Sequence, residues 1–318
     1  MSKKNIKAKS VFIAGVAGSI GAKTAEKLLK QGKGVVGVDN LNDYYSVALK
    51  QSRLRQLKQY KNFIFHQGDI ESLKFLRKLF KKYRFSAVIN LAARAGVRYS
   101  LENPFIYIST NVTGNLNLLD CCRESGADKF VLASSSSLYA GEKMPFKETL
   151  DVNTPISPYA ASKEAAEAMC YTYHYLYGMD ITILRYFTVY GPADRPDMAV
   201  YKFIEGIKNN RPIEVYGDGK SLRDFTYVDD IVDGTVKALK KVGFEVINLG
   251  GNRPHTLCEL IGLIEKYLGK KAVIKRSPSH KADMKATWAD ITKAKKILGW
   301  QPKVSLEEGI RRTVNWHL

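Results

Sequence analysis

Short apolar runs and helical periodicities alternate along much of the chain. Residues 10–14, 35–38, 62–67, 87–93, 129–133 and 181–185 are rich in β-branched, aromatic and small apolar side chains, and most close on glycine or a polar residue. Runs of this length and continuity predict buried strands. After the first run, Ala25, Leu28 and Leu29 recur at helical spacing up to a stop at Gly32. A longer helical pattern begins at Asn103-Pro104, where proline suits the first turn. Strands alternating with helices predict an α/β fold, a parallel, doubly wound Rossmann sheet that binds its ligands at the strands' carboxyl ends.

Beyond Arg185 the alternation breaks up into turn-rich stretches such as Tyr190-Gly191-Pro192, Asn210-Arg211-Pro212 and Gly217-Asp218-Gly219. Val228-Asp229-Asp230 opens a further helix with Asp229 as its predicted N-cap, residues 246–249 form a short strand, and Ser305-Leu306-Glu307-Glu308 reads as a capping-box start. The expected division is a Rossmann domain over residues 1–185 plus about 226–250, with a smaller, interleaved C-terminal substrate lobe from 186–225 and 251–318.

Composition narrows the class. A length of 318 residues with 45% hydrophobic side chains suits two domains with a sizeable core. The basic start, residues 1–9, precedes an apolar run that breaks at Gly15, which predicts a first strand rather than a secretory signal. No run approaches the roughly 18 apolar residues of a membrane helix, so no membrane partner is expected. Cys121, Cys122, Cys170 and Cys258 lack metal-binding spacing and read as reduced thiols of a cytoplasmic protein, with no metal site. The net charge of +19 is spread over scattered lysines, which suggests a solvated surface that attracts an anionic small molecule rather than a nucleic-acid partner.

The chemistry collects at the strand ends. Gly15-Val16-Ala17-Gly18-Ser19-Ile20-Gly21 follows a strand and opens a helix, the context a dinucleotide fingerprint needs. Gly15 permits the tight turn, Gly18 lets backbone approach a pyrophosphate, and Gly21 lets helix and strand pack closely. Asp39, closing the second strand, suits ribose hydroxyls and repels a 2′-phosphate, which favours NAD over NADP. Asp69 and Ile70 are placed by the adenine, with Ala92 and Ala93 by a ribose. Ser134-Ser135-Ser136-Ser137-Leu138-Tyr139 follows the fifth strand, and Tyr159 and Lys163 share one helical face at i and i+4. An ammonium beside a phenol favours the phenolate, so the pair is expected to supply a general base near neutral pH.

With these residues in view, the whole chain resembles the extended short-chain dehydrogenases/reductases of the nucleotide-sugar epimerase and dehydratase group, and within it the UDP-glucuronate 4-epimerases. The narrower likeness is carried by Asp39-Asn40-Leu41-Asn42-Asp43-Tyr44-Tyr45, Ala95-Gly96-Val97-Arg98-Tyr99-Ser100, Arg185-Tyr186-Phe187-Thr188-Val189-Tyr190-Gly191-Pro192, Arg195-Pro196-Asp197-Met198 and Arg223-Asp224-Phe225-Thr226-Tyr227-Val228-Asp229-Asp230. The resemblance implies NAD-dependent C4 epimerisation of a UDP-sugar through a 4-keto intermediate, most closely of UDP-glucuronate to UDP-galacturonate. UDP-glucose or UDP-N-acetylhexosamine epimerisation is the neighbouring alternative, and a non-catalytic nucleotide- or RNA-binding member of the fold a more distant one.

The resemblance also implies roles for individual residues. Tyr159 is the base, Ser135 and Ser136 candidates to bridge the sugar O4, and Lys163 a nicotinamide-ribose ligand. Further cofactor residues are Ser19, Ile20, Asn40, Asn42, Leu91, Ser134, Tyr186 and Val189. The sugar carboxylate falls to Ser136, Ser137, Thr188 and Arg185, and the UDP moiety to Arg98, Thr188, Met198, Ala199, Glu214, Val215, Tyr216, Arg223 and Asp283. Ser136 and Ser137 stand where dehydratases carry an Asp-Glu pair, which favours epimerisation. Family members also pair as homodimers. The chain departs from the family pattern at Ala14, at Ser19 where phenylalanine is usual, and at Ala193-Asp194 where a bulky residue and glycine are usual.

Overall fold

A computed structural model describes residues 9–278 and 281–318; the basic start at 1–8 lies outside it. The chain runs through β1 (Ser10–Ala14), α1 (Ser19–Lys30), β2 (Val35–Asp39), β3 (Phe63–Gln67), β4 (Phe85–Asn90), β5 (Phe130–Ser135), β6 (Ile181–Tyr186), β7 (Thr188–Tyr190), β8 (Ile213–Tyr216), β9 (Leu222–Tyr227), β10 (Phe244–Leu249), β11 (Pro254–Thr256) and β12 (Ile274–Ser277), with helices between most of them.

β1 explains why the main sheet is parallel and covered on both sides. Val11 and Ile13 enter one hydrophobic cluster with Leu28 of α1, while Phe12 and Ala14 enter another with Leu118 and Leu119. A strand buried on both faces needs helices on both faces, which crossover connections supply. Each large apolar side chain so buried contributes about 1.5–3 kcal/mol. The sheet has seven strands in the order β10-β6-β5-β4-β1-β2-β3, all parallel. The order reverses between β1 and β4, the switch point where an open α/β sheet leaves a crevice at its carboxyl edge.

At that crevice the glycine turn fits closely. Leu91 N–H donates to the Ala14 carbonyl at 3.0 Å, and a Cβ on Gly15 would lie 2.7 Å from the Ala92 nitrogen. Gly15 also has a φ of +76°, so glycine is required there twice over.

A third cluster, including Phe203, Ile204, Val215, Leu260, Ile264 and Ile310, packs around β8 and β9. β9 pairs with β7 in parallel and with β11 antiparallel, and β12 pairs with β8. Between them the chain returns: the helix Val228–Lys237 lies against α1, with Lys23 Nζ 3.0 Å from Asp229, and β10 then completes the main sheet beside β6. Asp229 is therefore not the N-cap expected of it. Tyr227 holds that position without a side-chain cap, and Asp229 sits in the first turn. The helical pattern after Pro104 is likewise broken, into a short turn Phe105–Tyr107, a π-helical stretch Ile108–Thr113 and the helix Gly114–Ser125.

Candidate active site

The serine run divides between two conformations. Ser134 and Ser135 end β5, and Ser136–Tyr139 turn into a short 3₁₀ helix begun by Ser135, whose Oγ accepts from Ser137 N–H at 3.1 Å. The helix Pro158–Tyr177 starts beside this loop, capped by Ser157, whose hydroxyl accepts from Ala160 N–H at 3.2 Å. Its first turn carries Tyr159, which lines the same cavity as Ser135, and Lys163 follows one turn later.

The electrostatics differ from the sequence expectation. Burial raises the Tyr159 pKa above that of a free phenol, offset in part by the neighbouring Ser135 hydroxyl and the positive charge of Arg195. Lys163 donates to the Ala133 carbonyl at 2.8 Å, and burial lowers its pKa to about 8 despite the Glu167 carboxylate a turn further on. Desolvation, which disfavours the charged form of both groups, thus outweighs the expected pull of Lys163 on the phenol.

These side chains open on a cavity of about 450 Å³ along the carboxyl edge of the sheet. Gly15, Gly18, Ser19, Ile20 and Gly21 line one end with Asp39, Asn40, Asn42, Asp69 and Ile70. Leu91, Ala92 and Ala93 line its middle, and Ser134, Ser135, Ser136, Ser137, Tyr159, Lys163, Tyr186, Thr188, Val189 and Met198 the remainder. Asp39 accepts from Ala17 N–H at 3.0 Å and Leu41 N–H at 2.9 Å, which ties the end of β2 to the glycine turn. Asn40 donates to Asp69 at 2.7 Å and accepts from Asn42, fixing a polar rim. Free N–H groups at the start of α1, a carboxylate closing β2 and small residues closing β4 together fit a dinucleotide.

Thr188 also borders a second cavity, of about 1250 Å³, lined by Arg98, Ala199, Glu214, Tyr216, Arg223 and Asp283. Arg98 donates to Asp283 at 2.6 Å and stacks 3.5 Å from the Tyr216 ring centre. Lys202, Lys220, Lys281 and Lys285 add positive charge to the same walls, a surface suited to a diphosphate.

Two expected substrate residues lie elsewhere. Arg185 is buried beneath the site, where Nε and Nη2 donate to Glu167 at 3.0 and 2.7 Å and Nη1 donates to the Tyr139 hydroxyl at 2.8 Å. With those donors committed it is the structural ion pair of β6 rather than a carboxylate ligand. Val215 fails for a simpler reason: strand alternation turns Glu214 and Tyr216 to the cavity and Val215 into the apolar cluster.

Arg195, Tyr44, Tyr45, Lys50 and Arg94 also line the first cavity, though the sequence pattern assigns them no role there. Arg195 forms a two-pronged ion pair with Asp197 and lies 5.6 Å from the centre of the Tyr44 ring. Its signal was present as the cation of a turn, Arg195-Pro196-Asp197, whose destination the local pattern does not specify.

Comparison with known proteins shows the family. Residues 12–313 match the family model described as GDP-mannose 4,6 dehydratase. A UDP-glucuronate 4-epimerase of Thermodesulfobacterium geofontis is 56% identical over 306 residues, covering 96% of this chain and 95% of that protein. The crystal structure of a Bacillus cereus UDP-glucuronic acid 4-epimerase in complex with UDP-glucuronic acid and NAD superposes with a TM-score of 0.92 at 37% identity, covering 96% of this chain and 98% of that one. A Thermotoga maritima UDP-glucose 4-epimerase with UDP-glucose follows at a TM-score of 0.90 and 33% identity, covering 97% and 98%.

Proposed function

The chain belongs to the extended short-chain dehydrogenase/reductase family of nucleotide-sugar epimerases and dehydratases, and from that premise we propose that it interconverts UDP-glucuronate and UDP-galacturonate at C4 with NAD as cofactor. The observation that carries this reading is that Ser135, Tyr159 and Lys163 share one cavity with the glycine turn, and that Thr188 joins this cavity to a cationic one.

NAD, when bound, supplies reversible hydride acceptance at the sugar C4. Gly15, Gly18 and the start of α1 hold its pyrophosphate, Asp39 its adenosine ribose, and Lys163 its nicotinamide ribose. Tyr159 takes the O4 proton as the alcohol becomes a ketone and returns it when the opposite face has been reduced. Ser135, on the same cavity as Tyr159, keeps O4 and the phenol in line through both steps. The UDP moiety occupies the cationic cavity, with Arg98, Tyr216 and Arg223 at its walls.

Epimerisation is favoured over dehydration because Ser136 and Ser137 stand where an acid-base carboxylate pair would be needed. A 4-keto uronic acid is also a β-keto acid, prone to lose CO₂. Ser136, Ser137 and Thr188 hold the carboxylate so that the breaking bond stays out of line with the carbonyl π system. Arg185 takes no part in this grip.

A homodimer is the assembly this reading expects, and the exposed apolar surface supports it. Phe105, Ile108, Tyr171, Tyr175, Leu176 and Tyr177 are exposed on the helical segments that family members pair across a two-fold axis. Among the described residues no helix is long and apolar enough to cross a membrane, and the reading places the enzyme in the cytoplasm.

The deciding experiment is incubation of purified protein with UDP-glucuronate, UDP-glucose and UDP-N-acetylglucosamine, with the products resolved. Turnover of UDP-glucuronate to UDP-galacturonate is expected. Turnover of a neutral sugar alone would replace this reading with that of the Thermotoga maritima relative.

A further inference from the structure

Two of the chain's departures from its family pattern touch each other. Ser19, where phenylalanine is usual, is the first residue of α1, and its hydroxyl donates to Asp194 Oδ1 at 3.1 Å. Asp194 stands where glycine is usual. It is 7% exposed, lines the same cavity as Gly15, Gly18 and Ser19, and its Oδ2 is buried with no hydrogen-bond partner. A buried carboxyl oxygen without a partner is costly unless a ligand completes it.

The groups around Asp194 do not complete it. Arg53 of the helix Val47–Leu57 bridges the glycine turn to this loop, but it donates to the carbonyls of Ala17 and Ala193 and to the Tyr45 hydroxyl. Arg195 is committed to Asp197. Asp39 adds a second negative charge to the same cavity, and α1 offers no acidic residue in its first turn.

We propose that Asp194 is a cofactor-binding residue that works as a neutral carboxylic acid beside the pyrophosphate of NAD, so that cofactor binding takes up a proton. This rests on NAD as the cofactor. A phosphate beside an ionised, buried carboxylate would meet like charge, which protonation of the acid removes. Burial already raises Asp194 to about 6 before any phosphate is present, opposed by Arg195, Ser19 and Arg53. The phosphate raises it further. Affinity is therefore complete below about pH 6 and falls up to about tenfold per pH unit above it, until the pKa of the complex is reached.

The test is NAD affinity by calorimetry against pH, with proton uptake read from buffers of different ionisation enthalpy. Wild type should take up roughly one proton at about pH 7 and lose affinity as pH rises. Lys163 lies on the same cavity and loses its charge near pH 8, so the slope is read below that. Asp194→Asn keeps the shape and a donor, and should bind NAD with little pH dependence and no proton uptake. Asp194→Gly should also abolish the uptake, which keeps the test open if the first variant folds poorly. Wild-type binding without proton uptake, or an unchanged slope in both variants, would overturn the proposal while leaving the cofactor in place. Failure of wild type to bind NAD at every pH would overturn the cofactor reading, and this one with it.

Discussion

Glu167 receives both Nε and Nη2 of Arg185 one helical turn beyond Lys163, so the floor of the active site is a buried ion pair. Ser134 donates to the same carboxylate, and the Tyr139 hydroxyl links Arg185 to Asn248 at 2.8 Å. Removing one partner leaves the other charge buried and alone, a cost of about 3–5 kcal/mol. Glu167→Gln and Arg185→Met should each lower the free energy of unfolding, measured by denaturant titration, by that amount while leaving the product distribution unchanged. A stable Arg185→Met enzyme that releases CO₂ from UDP-glucuronate would restore Arg185 as a carboxylate ligand.

Tyr159→Phe keeps the ring and loses only the hydroxyl. Turnover should fall by about 10²–10⁴, the usual worth of a positioned acid-base group, with bound NAD and the circular dichroism spectrum retained. Activity within a few-fold of wild type in the folded variant would remove Tyr159 from the reaction.

Lys163 gives a stability signature with a defined sign. Its folded pKa of about 8 lies below the ordinary 10.5, so between these values the unfolded chain holds the proton that the folded one has lost. Stability of the wild type should therefore rise relative to Lys163→Met between about pH 8 and 10.5, by about 3 kcal/mol at most. Parallel denaturation curves for the two proteins across that window would show that burial does not disfavour the ammonium.

Loosening the grip on the sugar carboxylate should appear as a side product. Ser136→Ala and Thr188→Ala are expected to raise the share of UDP-4-keto-pentose relative to UDP-galacturonate, about fivefold for each kcal/mol of orientation lost. The ratio is independent of how much enzyme survives purification. Clean epimerisation by both variants would place the carboxylate elsewhere.

The exposed aromatic ladder of Tyr171 and Tyr175, whose rings stack with centroids 6.4 Å apart, should be covered in solution. Light scattering should return twice the 35.7 kDa chain mass, and Tyr175→Lys should shift it towards one. A monomer in wild type at micromolar concentration would refute the dimer.

The sequence made the chemistry more legible than the geometry. Glycine, aspartate, serine and tyrosine at the ends of apolar runs were readable because a doubly wound sheet brings every strand's carboxyl end to one edge. What a side chain does after leaving such an end was not. Arg185 could equally enter the cavity or turn under it, and the choice is made by Glu167, a distant residue in sequence whose position on the Tyr159–Lys163 face is visible only once that helix is docked. Val215 was lost to a two-residue alternation that a short strand between turns scarcely announces. The capping box expected at Ser305 is half formed: Ser305 accepts from Glu308 N–H at 3.2 Å, but the Glu308 carboxylate turns to Arg311 and Arg312, since those cations outbid a backbone donor.

The last strand of the main sheet, β10, is contributed only after the chain has passed through β7, β8 and β9. During synthesis the half that carries Tyr159 therefore emerges with β6 as a bare edge, and with Tyr139 lacking the Asn248 side chain that accepts from it. The catalytic loop is thus held by the part of the protein translated later. A nascent chain halted before Phe244 would present an unpaired strand and an unfinished hydrogen-bond network, the state most exposed to chaperones and proteases.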